Sequence, residues 1–185
     1  MINQEEARAL LHKNIQAENL RKHCLATEAI MRNLARKLGR GEDLWGITGL
    51  LHDLDLEITR KDQSKHALIT ADMLKGKGFS PEALQAIKSH NGEVLGIPRE
   101  TEFDHALAAA ETITGLIVAT ALVRPDKKIA GVKLNSIKKR MKEKRFAENV
   151  NRDIIRECEQ IGISLEEFIV MSLEAMQEIA DNLGL

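Results

Sequence analysis

The sequence predicts an all-α fold, and two observations support that prediction. First, the chain of 185 residues is 43% hydrophobic and 30% charged, yet it contains only four Phe, one Trp and no Tyr. Ala, Leu, Ile, Glu and Lys dominate, which is typical of packed amphipathic helices. Second, apolar residues recur at helical spacing between glycine and proline breaks. The length and the even composition fit one domain over residues 1–185.

The first two predicted helices carry three polar residues of interest. Apolar residues at helical spacing cover residues 4–38 and end at two glycines, so His23 is expected inside a helix. The segment DLWGITGLLHDLD follows as an almost wholly apolar helix that ends near its last aspartates. His52 and Asp53 therefore lie at the buried end of an element. Polar side chains in such a position need hydrogen-bond or metal partners.

The next three predicted helices contribute two further histidines and a carboxylate. A helix over about 63–76 carries His66 early and stops at the glycines of LKGKGF. Ser80 and Pro81 supply the cap and first turn of the next helix, which ends at His90. After the turn-rich stretch NGEVLGIPRET, the segment FDHALAAAETITGLIVATALV is predicted to form a long apolar helix with Glu111 near its centre. A carboxylate at such a position is costly unless something binds it.

Two final helices are predicted from NRDIIRECEQIG and SLEEFIVMSLEAMQEIADNLG. Ser164 and Glu167 have the spacing of a capping box before the last helix. The broad apolar face of that helix is expected to pack on the preceding helices as a structural extension. A homodimer contact through this face is the alternative.

Six residues on successive elements are candidate metal ligands: His23, His52, Asp53, His66, His90 and Glu111. Imidazole and carboxylate together suit first-row divalent ions such as Mn, Fe, Co, Ni and Zn, and no thiolate of a structural zinc finger is among them. The alternative for each residue is a hydrogen-bonded buried polar network. His12 and His105 are expected at or near the surface.

This order of residues, H…HD…H…H…D/E on helices, resembles the HD-domain superfamily of metal-dependent phosphohydrolases. The phrases GLLHDLDLE, KHALITADMLKGKGF, AIKSHNGEVLGIPRET and AAAETITGLIVATALVRPDKK are similar to those of a small bacterial and archaeal group of predicted HD hydrolases. The resemblance covers about residues 20–130. It implies a helical bundle with a metal-binding core over 17–123, onto which a basic segment and C-terminal helices over 124–185 pack as an extension.

The resemblance also implies a ligand set. His23, His52, Asp53 and Glu111 match the minimal set of the superfamily, in which the last position is usually Asp. His66 and His90 match the additional ligands of two-metal members, with Asp53 bridging the two ions.

The implied chemistry is hydrolysis of a phosphoester or phosphoanhydride in a nucleotide or small phosphorylated metabolite. One or two divalent ions (Mn, Fe, Co, Ni, Mg or Zn) would activate a water molecule. Asp53 and Asp55 are the candidate catalytic residues. For Asp55 and Glu57 the simpler alternatives are a solvated loop carboxylate or a partner that orients a ligand histidine. The chain lacks the GxSxG, P-loop and GxGxxG motifs of other common enzyme classes.

A basic segment follows the Glu111 helix. Residues 124–145 contain ten Lys or Arg and two acidic residues, whereas the whole chain has a net charge of −1. Arg124, Lys127 and Lys128 are the candidate contacts to a substrate phosphate, with Lys65 and Arg99 as weaker candidates. A solvated helix face is the alternative. Nucleic acid is an unlikely partner because no aromatic residues are interleaved for base stacking.

Three other functional classes were weighed. A two-iron oxygenase has the same type of ligand set, and a non-catalytic module would bind a phosphorylated ligand without turnover. An HD-GYP phosphodiesterase is disfavoured because that signature needs a tyrosine.

The expected location is the cytoplasm, with no membrane contact. The N-terminus MINQEEARALL has no apolar signal core, and no window approaches the roughly 18 uncharged residues of a membrane span. The two cysteines do not suggest a disulfide framework.

Overall fold

The computed structural model describes residues 2–60 and 62–185 and contains no β-strand in this part of the chain. The prediction of an all-α fold is therefore confirmed. In chain order the α-helices are α1 Gln4–Asn14, α2 Glu18–Leu38, α3 Glu42–Leu51, α4 Leu56–Thr59, α5 Leu68–Leu74, α6 Pro81–His90, α7 Gly92–Leu95, α8 Glu102–Leu122, α9 Leu134–Lys142, α10 Arg152–Ile155, α11 Leu165–Glu178 and α12 Ala180–Leu183. Two short 3-10 helices span Ile129–Gly131 and Arg156–Ile161.

Helix α8 forms the centre of the molecule. Its N-terminus is closed by a capping box in which Thr101 accepts from the Asp104 N–H and Asp104 accepts in return from the Thr101 N–H. Helices α2, α6 and α10 pack around it, together with the second 3-10 helix. Helix α8 is long and apolar enough to cross a membrane, but most of its apolar window is buried inside the protein. This is the burial expected of a core helix.

Helix α3 packs closely on α2 and ends at the site described below. A Cβ added to Gly49 would lie 3.0 Å from the Thr27 carbonyl oxygen, so this glycine permits the close approach of the two helices. Trp45 in α3 stacks on Phe103 of α8, with ring centroids 4.6 Å apart. These contacts fix α3 relative to both α2 and α8.

The predicted helix over 4–38 is in fact two helices, because the chain becomes extended at Ile15. Ile15 is fully buried at this break. The Glu57 carboxylate accepts from the backbone N–H groups of Gln16 (2.9 Å) and Ala17 (2.6 Å). Glu57 therefore closes the start of α2 and is not simply a solvated loop residue.

The predicted helix over 63–76 is shorter than expected. Its α-helical part starts at Leu68, and Ala67 has a φ of 72°. His66 therefore lies in a turn before α5 instead of inside a helix. A left-handed conformation is costly for a non-glycine residue, and here the hydrogen bonds of Asp55 to His66 and Thr70 on either side hold it.

The C-terminal region packs on the helices that precede it. Helix α11 contacts α2, α8 and α9, and α12 also contacts α2. The continuous hydrophobic core includes residues from Ala7 to Leu183. Both predicted terminal helices are interrupted: the first continues as a 3-10 helix after Ile155, and the second breaks at Ile179.

Candidate metal centre

Five elements bring the candidate ligands together. His23 lies in α2, and Glu111 is the tenth residue of α8. The other four ligands stand at or near helix ends: His52 and Asp53 directly after α3, His66 before α5, and His90 as the last residue of α6. Helix ends suit this purpose, since the chain there can turn a side chain inward without breaking a helix.

The Asp53 carboxylate is the centre of the cluster, and the Nε2 atoms of four histidines surround it. Its Oδ1 lies 3.4 Å from His52, 3.3 Å from His66 and 3.3 Å from His90. Its Oδ2 lies 3.5 Å from His23. Both carboxylate oxygens therefore take part, which is the arrangement needed for a carboxylate that bridges two ions.

The opposite ring nitrogen, Nδ1, of three of these histidines is fixed by an oxygen acceptor. The acceptors are the Gly49 carbonyl for His52 (2.7 Å), the Ile87 carbonyl for His90 (2.5 Å) and Asp55 Oδ1 for His66 (2.7 Å). A carbonyl or carboxylate accepts only, so the proton is on Nδ1 and the Nε2 lone pair of a neutral ring points to the cluster. This is the tautomer that a metal ligand requires.

The Nδ1 atom of His23 also has an oxygen acceptor, which in this case is the hydroxyl group of Thr114. Its Nδ1 lies 2.9 Å from Thr114 Oγ1, and that hydroxyl donates its only proton to the Glu111 carbonyl at 2.6 Å. Thr114 must then accept from His23 Nδ1. The Nε2 atom of His23 is therefore also left free to coordinate.

The short distances between the Nε2 atoms test whether a metal ion fits. His23 and His52 face each other at 3.2 Å, and His66 and His90 at 3.1 Å. A bound ion would need both rings of a pair neutral, with the lone pairs of both Nε2 atoms available to it. Two nitrogens, each about 2.1 Å from an ion and about 90° apart, lie about 3.0 Å from one another. The donor set thus fits a divalent cation at each pair.

The electrostatics of the site also favour cations. Burial by itself would raise the pKa of Asp53, but the surrounding imidazoles, His52 first, hold it well below its usual range. Burial lowers the pKa of His52 to about 3. Burial acts the same way on His66, but its contacts with Asp53 and Asp55 outweigh this and raise its pKa to about 9. Burial raises the pKa of Glu111. The contacts with two carboxylates therefore stabilise positive charge on His66, beside Asp53.

Asp55 lies behind His66 and does not reach the open side of the cluster. The residue is fully buried. Its Oδ1 accepts from His66 Nδ1, and its Oδ2 accepts from the Thr70 N–H at 2.9 Å. Both oxygens are thus occupied on the far side of the imidazole ring. These contacts favour the alternative role expected for Asp55, a carboxylate that orients His66, over a catalytic role.

Two of the predicted phosphate contacts, Lys65 and Arg99, are paired with carboxylates. Lys65 is exposed and paired with Asp62. Arg99 is nearly buried next to the cluster: its guanidinium is paired with Glu93 and Glu157 and also donates to the carbonyl oxygen of His90 at 3.2 Å.

The start of the basic segment lies far from the candidate metal ligands. Arg124 is paired with Asp126, and it stands with Lys127 and Lys128 beyond the end of α8. From Glu111 to this end at Leu122 the helix rises about 16 Å. Proximity in sequence was misleading here because a straight helix separates the two sites.

The cluster opens on the side of His23 and Glu111. The His23 side chain is 23% exposed, whereas that of His52 is fully buried. A cavity of about 270 Å³ lies at this opening, and its far wall contains Asn149, Val150 and Asn151. Sequence reasoning missed this wall. No local pattern marks it, because it depends on the packing of Val150 against Gly115, where an added Cβ would lie 3.1 Å away.

The remaining histidines lie apart from the cluster. His12 is exposed, and His105 Nδ1 lies 2.7 Å from Glu157 Oε2. Cys24 and Cys158 are free and buried.

Comparisons with known proteins agree with the site. The model of the family described as HD domain matches residues 20–122, which is more than half of the chain. Ribonuclease Y of Desulforudis audaxviator is 31% identical over 84 residues, 45% of this chain and 16% of that protein. Ribonuclease Y of Oleidesulfovibrio alaskensis is 26% identical over 106 residues, 57% of this chain and 20% of that protein. The matched parts are about a fifth or less of these relatives' lengths. No solved structure matches the chain.

Proposed function

This chain belongs to the HD domain family, and from that membership we propose that it is a metal-dependent phosphohydrolase. Its substrate is a phosphoester or phosphoanhydride of a nucleotide or small phosphorylated metabolite. The observation that carries the proposal is the convergence of four imidazole Nε2 atoms on the two oxygens of Asp53.

The residues divide into two ligand groups around Asp53. His23, His52 and Glu111 offer donor atoms within 4.8 Å of one another, and so do His52, Asp53 and His90. We assign His23, His52, Asp53 and Glu111 to one divalent ion, and His66, His90 and Asp53 to a second. The ions suited to this nitrogen and oxygen set are Mn, Fe, Co, Ni, Mg and Zn.

Bound divalent ions supply an activated water and polarise the phosphoryl group. The protein positions the reactants. The cavity beside His23 and Glu111 admits the phosphate, and the hydrogen bonds of the histidine Nδ1 atoms to buried carbonyl groups hold the Nε2 atoms in place. In the reaction the water oxygen bonds to phosphorus, the bond from phosphorus to the leaving oxygen breaks, and a proton passes to that oxygen. Glu111, where the superfamily usually has Asp, keeps the charge and lengthens the side chain by one methylene.

A second candidate is hydrolysis of an RNA phosphodiester. It is supported by the name of the curated relatives, Ribonuclease Y, whose matched segments cover 84 to 106 residues. Since these segments are a small part of each relative, the activity of the whole protein does not transfer directly.

A phosphate-release screen tests the proposal. Nucleotides and phosphorylated metabolites are incubated with the protein and each of the six ions, in parallel with Asp53→Ala and with Asp62→Ala as the control, since Asp62 pairs with exposed Lys65 outside the site. We expect release by the wild type and the control, and none above background by Asp53→Ala. A labelled oligoribonucleotide tests the RNA candidate. Phosphate release by Asp53→Ala equal to that of the wild type, or no release by the wild type with any ion, would contradict the proposal. Bound iron with oxygen consumption would indicate the oxygenase. Ligand binding without turnover would indicate the non-catalytic module.

A further inference from the structure

The cavity beside the metal centre adjoins a larger one. Asn149, Val150 and Asn151, here called the 149–151 wall, line the cavity that contains His23 and Glu111. The same three residues also line a neighbouring cavity of about 670 Å³. The 149–151 wall therefore lies between the cavity of the metal centre and a second space directly beside it.

The larger cavity is basic. Its cationic lining residues are Lys142, Lys144, Arg152 and Arg156, against the two acids Glu148 and Asp153. Glu143, which lies between the two lysines, pairs with Lys139 and Arg140 instead. Among the residues that the structure describes, Lys142 and Lys144 thus have no carboxylate partner within 4.0 Å. Both are exposed, so their charges are free to meet an anion.

Arg152 adds a fixed positive charge to the 149–151 wall. Its guanidinium donates to the carbonyl oxygens of Phe146, Ala147 and Val150, which folds the loop that carries the wall. These acceptors are neutral, and the Nε of Arg152 is buried without a hydrogen-bond partner in the described chain. A partly buried guanidinium that has only carbonyl partners favours an anion nearby.

We propose that the substrate carries two phosphate groups: one reacts at the metal centre, and the second is bound in the larger cavity by Lys142 and Lys144. This inference rests on the proposed function and narrows its substrate class. The proposed phosphate contacts, Lys142 and Lys144, thus lie at the C-terminal end of the basic segment, whereas Arg124 lies at its start.

A small bisphosphorylated molecule fits better than a nucleic acid strand. Both cavities have the volume of small-molecule sites, in the range of roughly 300–1,000 Å³ or just below it. Within the described part of the chain, no Phe or Trp side chain lines either one. The chain's aromatic residues are otherwise engaged: Trp45, Phe79, Phe103 and Phe168 are buried, and Phe146 is covered by the Arg140 guanidinium at 4.0 Å. Base stacking, which supplies much of the affinity for single strands, has no platform here.

Calorimetry with defined probes tests the inference. Adenosine 3′,5′-bisphosphate is compared with adenosine 5′-monophosphate and 3′-monophosphate, with and without Mn²⁺. The proteins are the wild type, Lys142→Ala/Lys144→Ala, and Lys133→Ala/Lys139→Ala as the control. The control removes two exposed lysines from the same basic segment, and neither lines the two cavities.

We expect the wild type and the control to bind the bisphosphate at least ~10-fold more tightly than either monophosphate, as charge-assisted contacts allow. In Lys142→Ala/Lys144→Ala this preference should disappear, while monophosphate binding with Mn²⁺ stays unchanged. A preference that survives in that variant, or that falls equally in the control, would overturn the inference.

The outcomes also separate this inference from the proposed function. Turnover of monophosphates without any preference for the bisphosphate would overturn the second phosphate site alone. If the wild type prefers the bisphosphate, Lys142→Ala/Lys144→Ala loses this preference, and no substrate is turned over, only the proposed reaction would be overturned. A ten-nucleotide uridine oligomer is the probe for RNA. If it binds more tightly than the bisphosphate and this binding is lost in Lys142→Ala/Lys144→Ala, the ligand is RNA and not a small molecule.

Discussion

At the scale of single residues, the metal centre depends on what lies behind each histidine. The sequence reveals the histidines but not the acceptors that fix their Nδ1 atoms, because two of those acceptors are backbone carbonyls. Thr114 and Asp55 are the side-chain acceptors. The i+3 spacing from Glu111 to Thr114 gives only a weak signal, whereas Asp55 follows the HD pair closely enough to have been considered as an orienting residue.

Replacing Asp55 by Asn should weaken the half of the site that contains His66 and His90. The amide keeps the size of the side chain but removes the negative charge beside His66 Nδ1. We expect affinity for one of the two ions to fall about 10–100-fold, as for other residues that orient metal ligands. Titration with Mn²⁺ followed by calorimetry measures the two affinities. Asp62→Asn is the matched control, and wild-type affinity for both ions in Asp55→Asn would refute the orienting role.

At the scale of elements, apolar periodicity predicted where helices lie better than where they end. Helix α6 starts and stops as predicted, since Ser80 and Pro81 are strong local signals. The break at Ile15 and the late start of α5 were missed. Both depend on distant carboxylates, Glu57 and Asp55, that bind backbone N–H groups. Such tertiary contacts leave no periodic trace in the sequence.

The close packing of α3 on α2 can be tested at Gly49. Alanine there would place its Cβ 3.0 Å from the Thr27 carbonyl oxygen and 3.0 Å from Met31 Cγ. The two helices must then separate, and we expect the free energy of unfolding to fall by about 1–2 kcal/mol despite the better helix propensity of alanine. Urea denaturation measures the change.

Gly41 provides the control for this substitution. It lies at the N-cap of the same helix, and an added Cβ would meet nothing within 4 Å. Gly41→Ala should lose only the capping contribution, roughly 0.5–1 kcal/mol. A Gly49→Ala variant as stable as the wild type would contradict the packing argument.

At the scale of the whole molecule, the metal centre joins parts of the chain that are far apart in sequence. Its ligands come from α2, α8 and the ends of α3 and α6, with His66 before α5. The all-α fold could be predicted from the sequence, and the six residues proposed there as metal ligands lie together in the structure. The 149–151 wall could not, because its position follows from how the C-terminal region packs on α8.

Because the ions would connect five elements, their removal should destabilise the entire fold. At an ion concentration about 100 times the dissociation constant, each bound ion contributes about 2.7 kcal/mol. For a chain of this size we expect the Tm to fall by about 5–10 °C for each ion that the chelator removes and to recover with Mn²⁺. Scanning calorimetry measures both steps. An identical Tm with chelator and with Mn²⁺ would show that no ion is bound at this site.

The most direct test of the account is the metal content of the wild type and of Asp53→Asn after reconstitution with Mn²⁺ and removal of free ions. We expect two ions per wild-type chain and fewer than one in the variant, because the exchanged carboxylate lies between both histidine pairs. Circular dichroism confirms that the variant keeps its helices. A wild-type chain that retains no ion, or a variant that retains two, would contradict the central claim that Asp53 and its four histidines form a metal centre.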